Sequence, residues 1–177
     1  MIAFITELLS SGSLGHASAG LLLLIGGIVF AVCAIALSFI DLREHRLPNR
    51  IIYPWTALTA VLLVLTALLL GEPLAAVRAF AAALVWGGFF LTVRLLAPPA
   101  LGMGDVKLAV VLGLYTGFLG WSTVLAAVVL SFLLGGLLAA ALLVSGRGTA
   151  KTAVPFGPFL LLGTAVALIF SGGVSLG

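Results

Sequence analysis

Long apolar stretches, separated by short polar segments, run along almost the whole chain. An α-helix needs about 20 predominantly apolar residues to cross a bilayer. We predict six such helices, at about 20–40, 51–70, 74–96, 105–119 and 122–144, and from near 155 to near 170. Residues 1–19 are mixed in polarity and are predicted to form an interfacial or flexible N-terminal segment, with a turn or a frayed end. The pattern therefore predicts an all-α, polytopic membrane protein with six transmembrane helices: one domain over 1–177, with its six-helix core in 20–172.

The composition supports a membrane protein without a separate soluble domain. Hydrophobic residues make up 63% of the chain and charged residues only 7%, whereas soluble domains carry about 25% charged residues. The single cysteine, Cys33, cannot form an internal disulfide or a Cys-rich metal site, and we expect no metal ion and no cofactor. The first basic residue is Arg43, so the basic start of a cleavable signal peptide is missing.

The positions of the basic residues predict the orientation in the membrane. Seven of the eight Lys and Arg residues flank the first, third and fifth loops, namely Arg43, Arg46, Arg50, Arg94, Lys107, Arg147 and Lys151. Basic residues favour the cytoplasmic side. We therefore predict that these loops are cytoplasmic, that both termini lie outside, and that the protein resides in the inner (cytoplasmic) membrane. The lipid bilayer is the expected environment, and scattered single charges do not indicate a nucleic-acid partner.

Two of the five acidic residues lie within apolar segments. Asp41 ends the first predicted helix and Asp105 begins the fourth. A carboxylate at the bilayer centre costs roughly 2.5–3.5 kcal/mol on insertion scales, which makes such a residue a candidate for function. The predicted topology places both at the cytoplasmic boundary.

Small residues at helical spacing lead to each aspartate: Gly27, Ala31, Ala34 and Ser38 before Asp41, and Ala109, Gly113 and Gly117 after Asp105. Small residues allow membrane helices to pack closely. We expect both aspartates to project from close-packing helix faces, toward each other rather than toward lipid.

Two facing carboxylates favour acid–base chemistry. They do not both ionise cheaply, so one stays protonated while the other carries the charge. The charged group can take a proton from water while the neutral group protonates the attacked carbonyl oxygen. Gly102 and Gly104 would let the backbone approach a substrate closely. This is the chemistry of an aspartic protease, which needs no metal.

Three sequence blocks resemble a known family. Residues 102–105 match the GxGD motif of membrane aspartic proteases, Asp41 is followed by Pro48-Asn49, and residues 154–159 read Val-Pro-Phe-Gly-Pro-Phe. In this order, from about Gly20 to the C-terminus, they resemble the type IV prepilin peptidase family. The resemblance implies that Asp41 and Asp105 are catalytic. It also implies that the protein cuts the short basic leader from pilin-like precursors at the cytoplasmic membrane face, usually after a glycine.

The resemblance departs from the longer members of that family. Those carry an N-terminal cytoplasmic insert with paired, zinc-binding cysteines, which is linked to N-methylation of the new terminus. Nothing in this sequence corresponds to that insert, so we do not expect methyltransferase activity. The chain is similar to the short, peptidase-only enzymes of tight-adherence pili or to archaeal-type prepilin and preflagellin peptidases.

Other residues near the blocks are interpreted more simply. Lys107 is read as a cytoplasmic anchor, with a contact to the substrate or a loop as the alternative. Pro48 and Asn49 are expected to shape the start of the second helix. Pro155, Phe156 and Gly157 are expected to shape the start of the last helix and to place Phe156 near the site, with substrate contact as the alternative.

Two other functions stay open at this point. One is a small ion-coupled transporter or channel that uses the same carboxylates; transporters often show internal repeats and midplane sites, and neither is visible here. The other is an inactive assembly factor of a secretion apparatus, which would tolerate loss of both acids.

Overall fold

The computed structural model describes residues 1–44, 46–97, 101–145 and 156–172, and these form an all-helical bundle. The helices are α1 (Ile2–Ser10), α2 (Leu14–Glu44), α3 (Asn49–Leu70), α4 (Pro73–Leu96), α5 (Met103–Leu119), α6 (Trp121–Val144) and α7 (Gly157–Phe170). The predicted all-α class is therefore confirmed. The C-terminal ends predicted for the four middle helices coincide with those of α3 to α6, and the predicted starts lie one or two residues after the observed ones.

Four of the described helices are long and apolar enough to cross a membrane: α2, α3, α4 and residues Trp121–Ala141 of α6. Helix α5 has 17 residues and α7 has 14, both fewer than the roughly 20 that a straight span requires. Large apolar side chains such as Leu84 and Leu96 are exposed on the outer faces, as lipid contact requires. The chain is a multi-pass membrane protein, and the count of six spans stays a prediction.

The N-terminal segment differs from the prediction. Residues 1–19 contain α1 and the first turns of α2 rather than a turn or a frayed end. Ile5 and Leu8 are buried, and a Cβ atom at Gly20 would lie 3.1 Å from the Cβ of Leu8. Helix α1 thus folds back onto α2 where Gly20 leaves room. The apolar positions of α1 are too few to show this packing in the sequence.

Helix α5 is the centre of the bundle. Thirteen of its seventeen residues are buried, which is expected of a helix enclosed by others on all sides. A Cβ atom at Gly113 would lie 2.6 Å from the Cα of Ala83, and one at Gly117 would overlap the Cβ of Ala82. The backbones of α4 and α5 are therefore in direct contact, and the predicted close-packing face of α5 is confirmed.

The corresponding prediction for α2 is wrong. Ala31 is exposed, and it lines an open groove between α2 and α7 together with Gly27, Ala34 and Ser38. The small residues do not meet a second helix backbone there, since α7 contributes large side chains such as Leu161 and Leu162 to the opposite wall.

One buried tyrosine links three helices by hydrogen bonds. The Tyr115 hydroxyl of α5 donates to the backbone oxygen of Gly26 in α2 at 2.9 Å. It accepts hydrogen bonds from Trp55 Nε1 at 3.2 Å and from Thr59 Oγ1 at 3.0 Å, both in α3. The hydroxyl thus uses its donor and both acceptor positions, which ties α2 and α3 to the central helix.

The α4–α5 contact can be tested with Gly113→Ala. The added Cβ would overlap the backbone of Ala83, and overpacking of this kind typically costs about 1–3 kcal/mol. We expect a lower melting temperature for the detergent-purified variant. Gly136→Ala in α6 is the matched control, because a Cβ there meets nothing within 4 Å and alanine favours a helix. Equal melting temperatures for the two variants would contradict the contact.

Candidate functional site

Asp105 lies in the first turn of the central helix and is 8% exposed. Its Oδ2 atom accepts a hydrogen bond from the backbone N–H of Gly102 at 3.1 Å, and its own N–H donates to the Gly102 oxygen at 3.2 Å. The side chain therefore closes the start of α5 in the manner of a capping box. The positive end of the helix dipole faces this carboxyl group.

Asp41 lies in the last turn of α2 and is 6% exposed. A Cβ atom at Gly157, the first residue of α7, would lie 2.6 Å from Asp41 Oδ2. The missing side chain of Gly157 thus allows the start of α7 to approach the carboxyl group of Asp41. The two acids differ in setting, since Asp41 sits at the negative end of its helix and Asp105 at the positive end of another.

Leu47 joins these two positions. A Cβ atom at Gly104 would lie 2.7 Å from the Cβ of Leu47, and one at Gly157 would lie 3.6 Å from Leu47 Cδ1. The segment between α2 and α3 therefore inserts one apolar side chain between the starts of α5 and α7. Sequence reasoning missed this residue. The available signal is an apolar side chain within the most charged stretch of the chain.

The two acids lie close enough for the charge of one to influence the other. A negative charge on Asp41 makes a second negative charge on Asp105 less favourable, and both groups are buried. For two such carboxyl groups, carrying one negative charge costs less free energy than carrying two. A pair with one charged and one neutral member can accept a proton from water and donate another to a substrate oxygen.

Lys107 contacts α3 rather than the acids. Its Nζ atom donates a hydrogen bond to Asn49 Oδ1 at 2.8 Å and lies 5.1 Å from the centre of the Tyr53 ring. Pro48 precedes α3 in an extended conformation, and its oxygen accepts the N–H groups of the first turn. Asn49 and Pro48 thus begin α3 as expected, and Lys107 fastens that start to α5.

Two neighbouring residues of the last sequence block, Phe156 and Gly157, have different surroundings. Gly157 borders Asp41, but the ring of Phe156 packs on Gly135 and lies 5.3 Å from the ring of Phe132, centre to centre. Phe156 therefore joins an aromatic cluster of α4 and α6. Pro155, like His45, lies outside the described residues.

Comparison with known proteins identifies the family. A family model described as the type IV leader peptidase family matches residues 28–140, more than half of the chain. The chain therefore belongs to the type IV leader peptidase family. The matched residues include both aspartates and the glycines before Asp105, whereas Gly157 follows them. No solved structure matches the protein.

Curated relatives carry one common name, "Prepilin leader peptidase/N-methyltransferase". The protein from Pseudomonas aeruginosa is 30% identical over 77% of this chain and 46% of its own length. The protein from Aeromonas hydrophila is 31% identical over 80% of this chain and 48% of its own length. The protein from Burkholderia pseudomallei is 30% identical over 92% of this chain and 53% of its own length. The chain thus spans about half the length of these relatives. The name of these relatives includes N-methyltransferase. That this chain lacks methyltransferase activity stays a prediction.

The position of Leu47 can be tested by a disulfide. In a Cys33→Ser background, Leu47→Cys with Gly104→Cys is expected to cross-link on mild oxidation, because the two Cβ positions are in contact. Two maleimide–polyethylene glycol labels should then attach only after reduction. Leu47→Cys with Gly136→Cys, on the outside of α6, is the control pair and should take both labels throughout. Full labelling of the first pair after oxidation would refute the contact.

Proposed function

We propose that this protein is a membrane aspartic endopeptidase that removes the short basic leader from type IV pilin-like precursors. Asp41 and Asp105 would activate the attacking water. The observation that carries the proposal is the burial of two acids, one at the end of α2 and one at the start of α5, close enough for their charges to interact. Membership of the leader peptidase family supports the same conclusion.

The proposed reaction uses the two carboxyl groups in turn. The charged group takes a proton from a water molecule as the water oxygen attacks the carbonyl carbon of the scissile peptide bond. The neutral group donates its proton to the carbonyl oxygen, which gives a neutral tetrahedral diol. Collapse of this intermediate breaks the C–N bond: the departing nitrogen takes a proton from the newly protonated carboxyl, while one hydroxyl of the diol returns its proton to the other carboxylate as the new carbonyl bond forms. One carboxyl group is then again charged and the other neutral.

The glycines beside the two acids are proposed to line the bound, extended peptide. Gly102 and Gly104 precede Asp105, and Gly157 borders Asp41. A peptide must be extended to be attacked, and its backbone can approach closely only where Cβ atoms are absent. Lys107 is proposed as a positioning residue, since it holds the start of α3, and with it Leu47, beside α5.

We further propose that the site faces the cytoplasm and that α5 and α7 complete six spans. The basic residues beside α2, α3 and α4 favour this side. Arg78, the one basic residue predicted on the other side, donates 2.8 Å hydrogen bonds to the backbone oxygens of Gly117 and Phe118. It therefore satisfies the C-terminal carbonyls of α5, which explains its exceptional position.

Removal of either acid should stop cleavage. We expect Asp41→Asn and Asp105→Asn each to lower the rate of leader removal by at least about 10²–10⁴-fold, the usual contribution of general acid–base catalysis. The assay is co-expression with a pilin-like precursor, scored by its size shift. Glu7→Gln, an exposed acid of α1, is the matched control and should cleave normally. Normal cleavage by either Asp→Asn variant would reject the dyad, and ion flux into liposomes without any cleavage would favour a transporter.

The approach of α7 to Asp41 gives a second test. A Cβ at Gly157 would overlap Asp41 Oδ2, so Gly157→Ala must displace the carboxyl group or α7. A displacement of about 1 Å can cost roughly 10²-fold in rate, and we expect a loss of this order in kcat. Gly136→Ala carries the same change at an open position and should retain activity. If both variants cleave equally well, Asp41 does not act from the observed position.

A further inference from the structure

An open apolar groove runs along the membrane-facing side of the bundle between α2 and α7. Its cavity volume is about 740 Å³. Gly27, Ala31, Ala34 and Ser38 of α2 form its floor, and residues of α7 from Pro158 to Ile169 form its other wall. Met1, Ile2 and Ile5 close one end. We call this cavity the α2–α7 groove.

The open end of the α2–α7 groove lies at the candidate active site. Ser38 is one helical turn before Asp41, and Pro158 directly follows Gly157, which borders Asp41 Oδ2. At the far end, the Met1 amino group donates hydrogen bonds to the backbone oxygens of Leu168 in α7 (3.0 Å) and of Ser171, the residue that follows α7 (2.6 Å). A molecule bound in the groove therefore has one of its ends beside the two acids.

The dimensions and the lining fit a helix. The α2 wall extends from Leu24 to Phe39, about 22 Å at 1.5 Å per residue, which matches a helix of about 15 residues. The four small residues of the floor follow helical spacing, so another helix backbone can approach them closely. Such a floor favours a helix over a lipid chain, because small residues allow two helix backbones to pack closely in a membrane.

We propose that the α2–α7 groove receives the apolar helical segment that follows the cleavage site of the precursor. This inference rests on the proposed function. A peptide bound across Asp41 and Asp105 must continue on both sides of the scissile bond. The basic leader can extend into water, whereas an apolar continuation needs apolar cover, and the lining of the groove begins one helical turn from Asp41. Docking there would fix which peptide bond lies between the acids.

The test compares two substrates of the same enzyme. One is a model precursor with a basic leader, a glycine and an apolar helix of about 20 residues; the other is a short peptide that ends a few residues beyond the glycine. Ala31→Phe and Ala34→Phe add bulk to the groove. We expect each to raise KM for the precursor by about tenfold, so that the ratio of precursor to short-peptide cleavage efficiency falls by the same factor.

Ala126→Phe is the matched control, because Ala126 is an exposed alanine of α6 outside the groove. This variant should keep the wild-type ratio. If the groove variants also keep that ratio while the wild type cleaves the precursor, the groove does not bind the apolar segment and the proposed peptidase function stands. If the wild-type protein cleaves neither substrate, the proposed function and this inference both fail.

Cross-linking tests occupancy without relying on turnover. The enzyme carries Cys33→Ser and Asp105→Asn, with one new cysteine at Ala31, Ala34 or Ala126, and the precursor carries single cysteines along its apolar helix. We expect disulfide-linked complexes from Ala31→Cys and Ala34→Cys, with precursor positions that repeat every three to four residues, and none from Ala126→Cys. Equal cross-linking at all three positions, or none in the groove, would overturn the inference, as would retention of lipid there in the presence of precursor.

Discussion

The structure depends on the direct contact between the backbones of α4 and α5. Gly113 and Gly117 have no side chains where α4 passes, so the two helices meet at Ala82 and Ala83. This contact fixes how closely α4 and α5 approach, because a side chain at Gly113 or Gly117 would overlap α4. Tyr115 then ties α2 and α3 to the same helix, and Arg78 satisfies its last carbonyls. The position of Asp105, at the other end of α5, follows from these constraints.

Asp41 is held in a different way, which matters for the proposed chemistry. Its helix, α2, is bound to the bundle core mainly through Gly26 and the aromatic contacts of Phe30 with Trp55 and Tyr115. Beyond these, Asp41 meets α7 at Gly157. One acid thus belongs to the rigid centre of the bundle and the other to a helix with an open side. Burial of two repelling carboxyl groups opposes folding, and the tight packing around α5 is the favourable term that can offset it.

The sequence predicts those features that depend on local pattern. The ends of α3 to α6 follow from the lengths of the apolar runs, and Asp41 and Asp105 stand out because acids are rare in such runs. Helix α1, the position of Leu47 and the side-chain contacts of Lys107 and Phe156 depend on which distant segments meet. Gly20 accepts Leu8, and Gly104 and Gly157 accept Leu47; a glycine in the sequence does not say which side chain fills its space. Contacts between residues that are distant in sequence are therefore seen only in the structure.

The two rows of small residues show why the same pattern has two outcomes. On α5 the glycines of the row face Ala79, Ala82 and Ala83 of α4, so the two helix backbones come into direct contact. On α2 the row faces the leucines of α7, and a groove remains. A row of small residues therefore predicts that some helix packs there, but the helix can belong to another molecule. In a bilayer an unfilled row of this kind has no better partner than a helix. The row on α2 ends at Asp41, so a helix that follows the cleavage site and fills the row would present its first turn to the acids. In this view the bundle lacks one helix, and the proposed substrate supplies it.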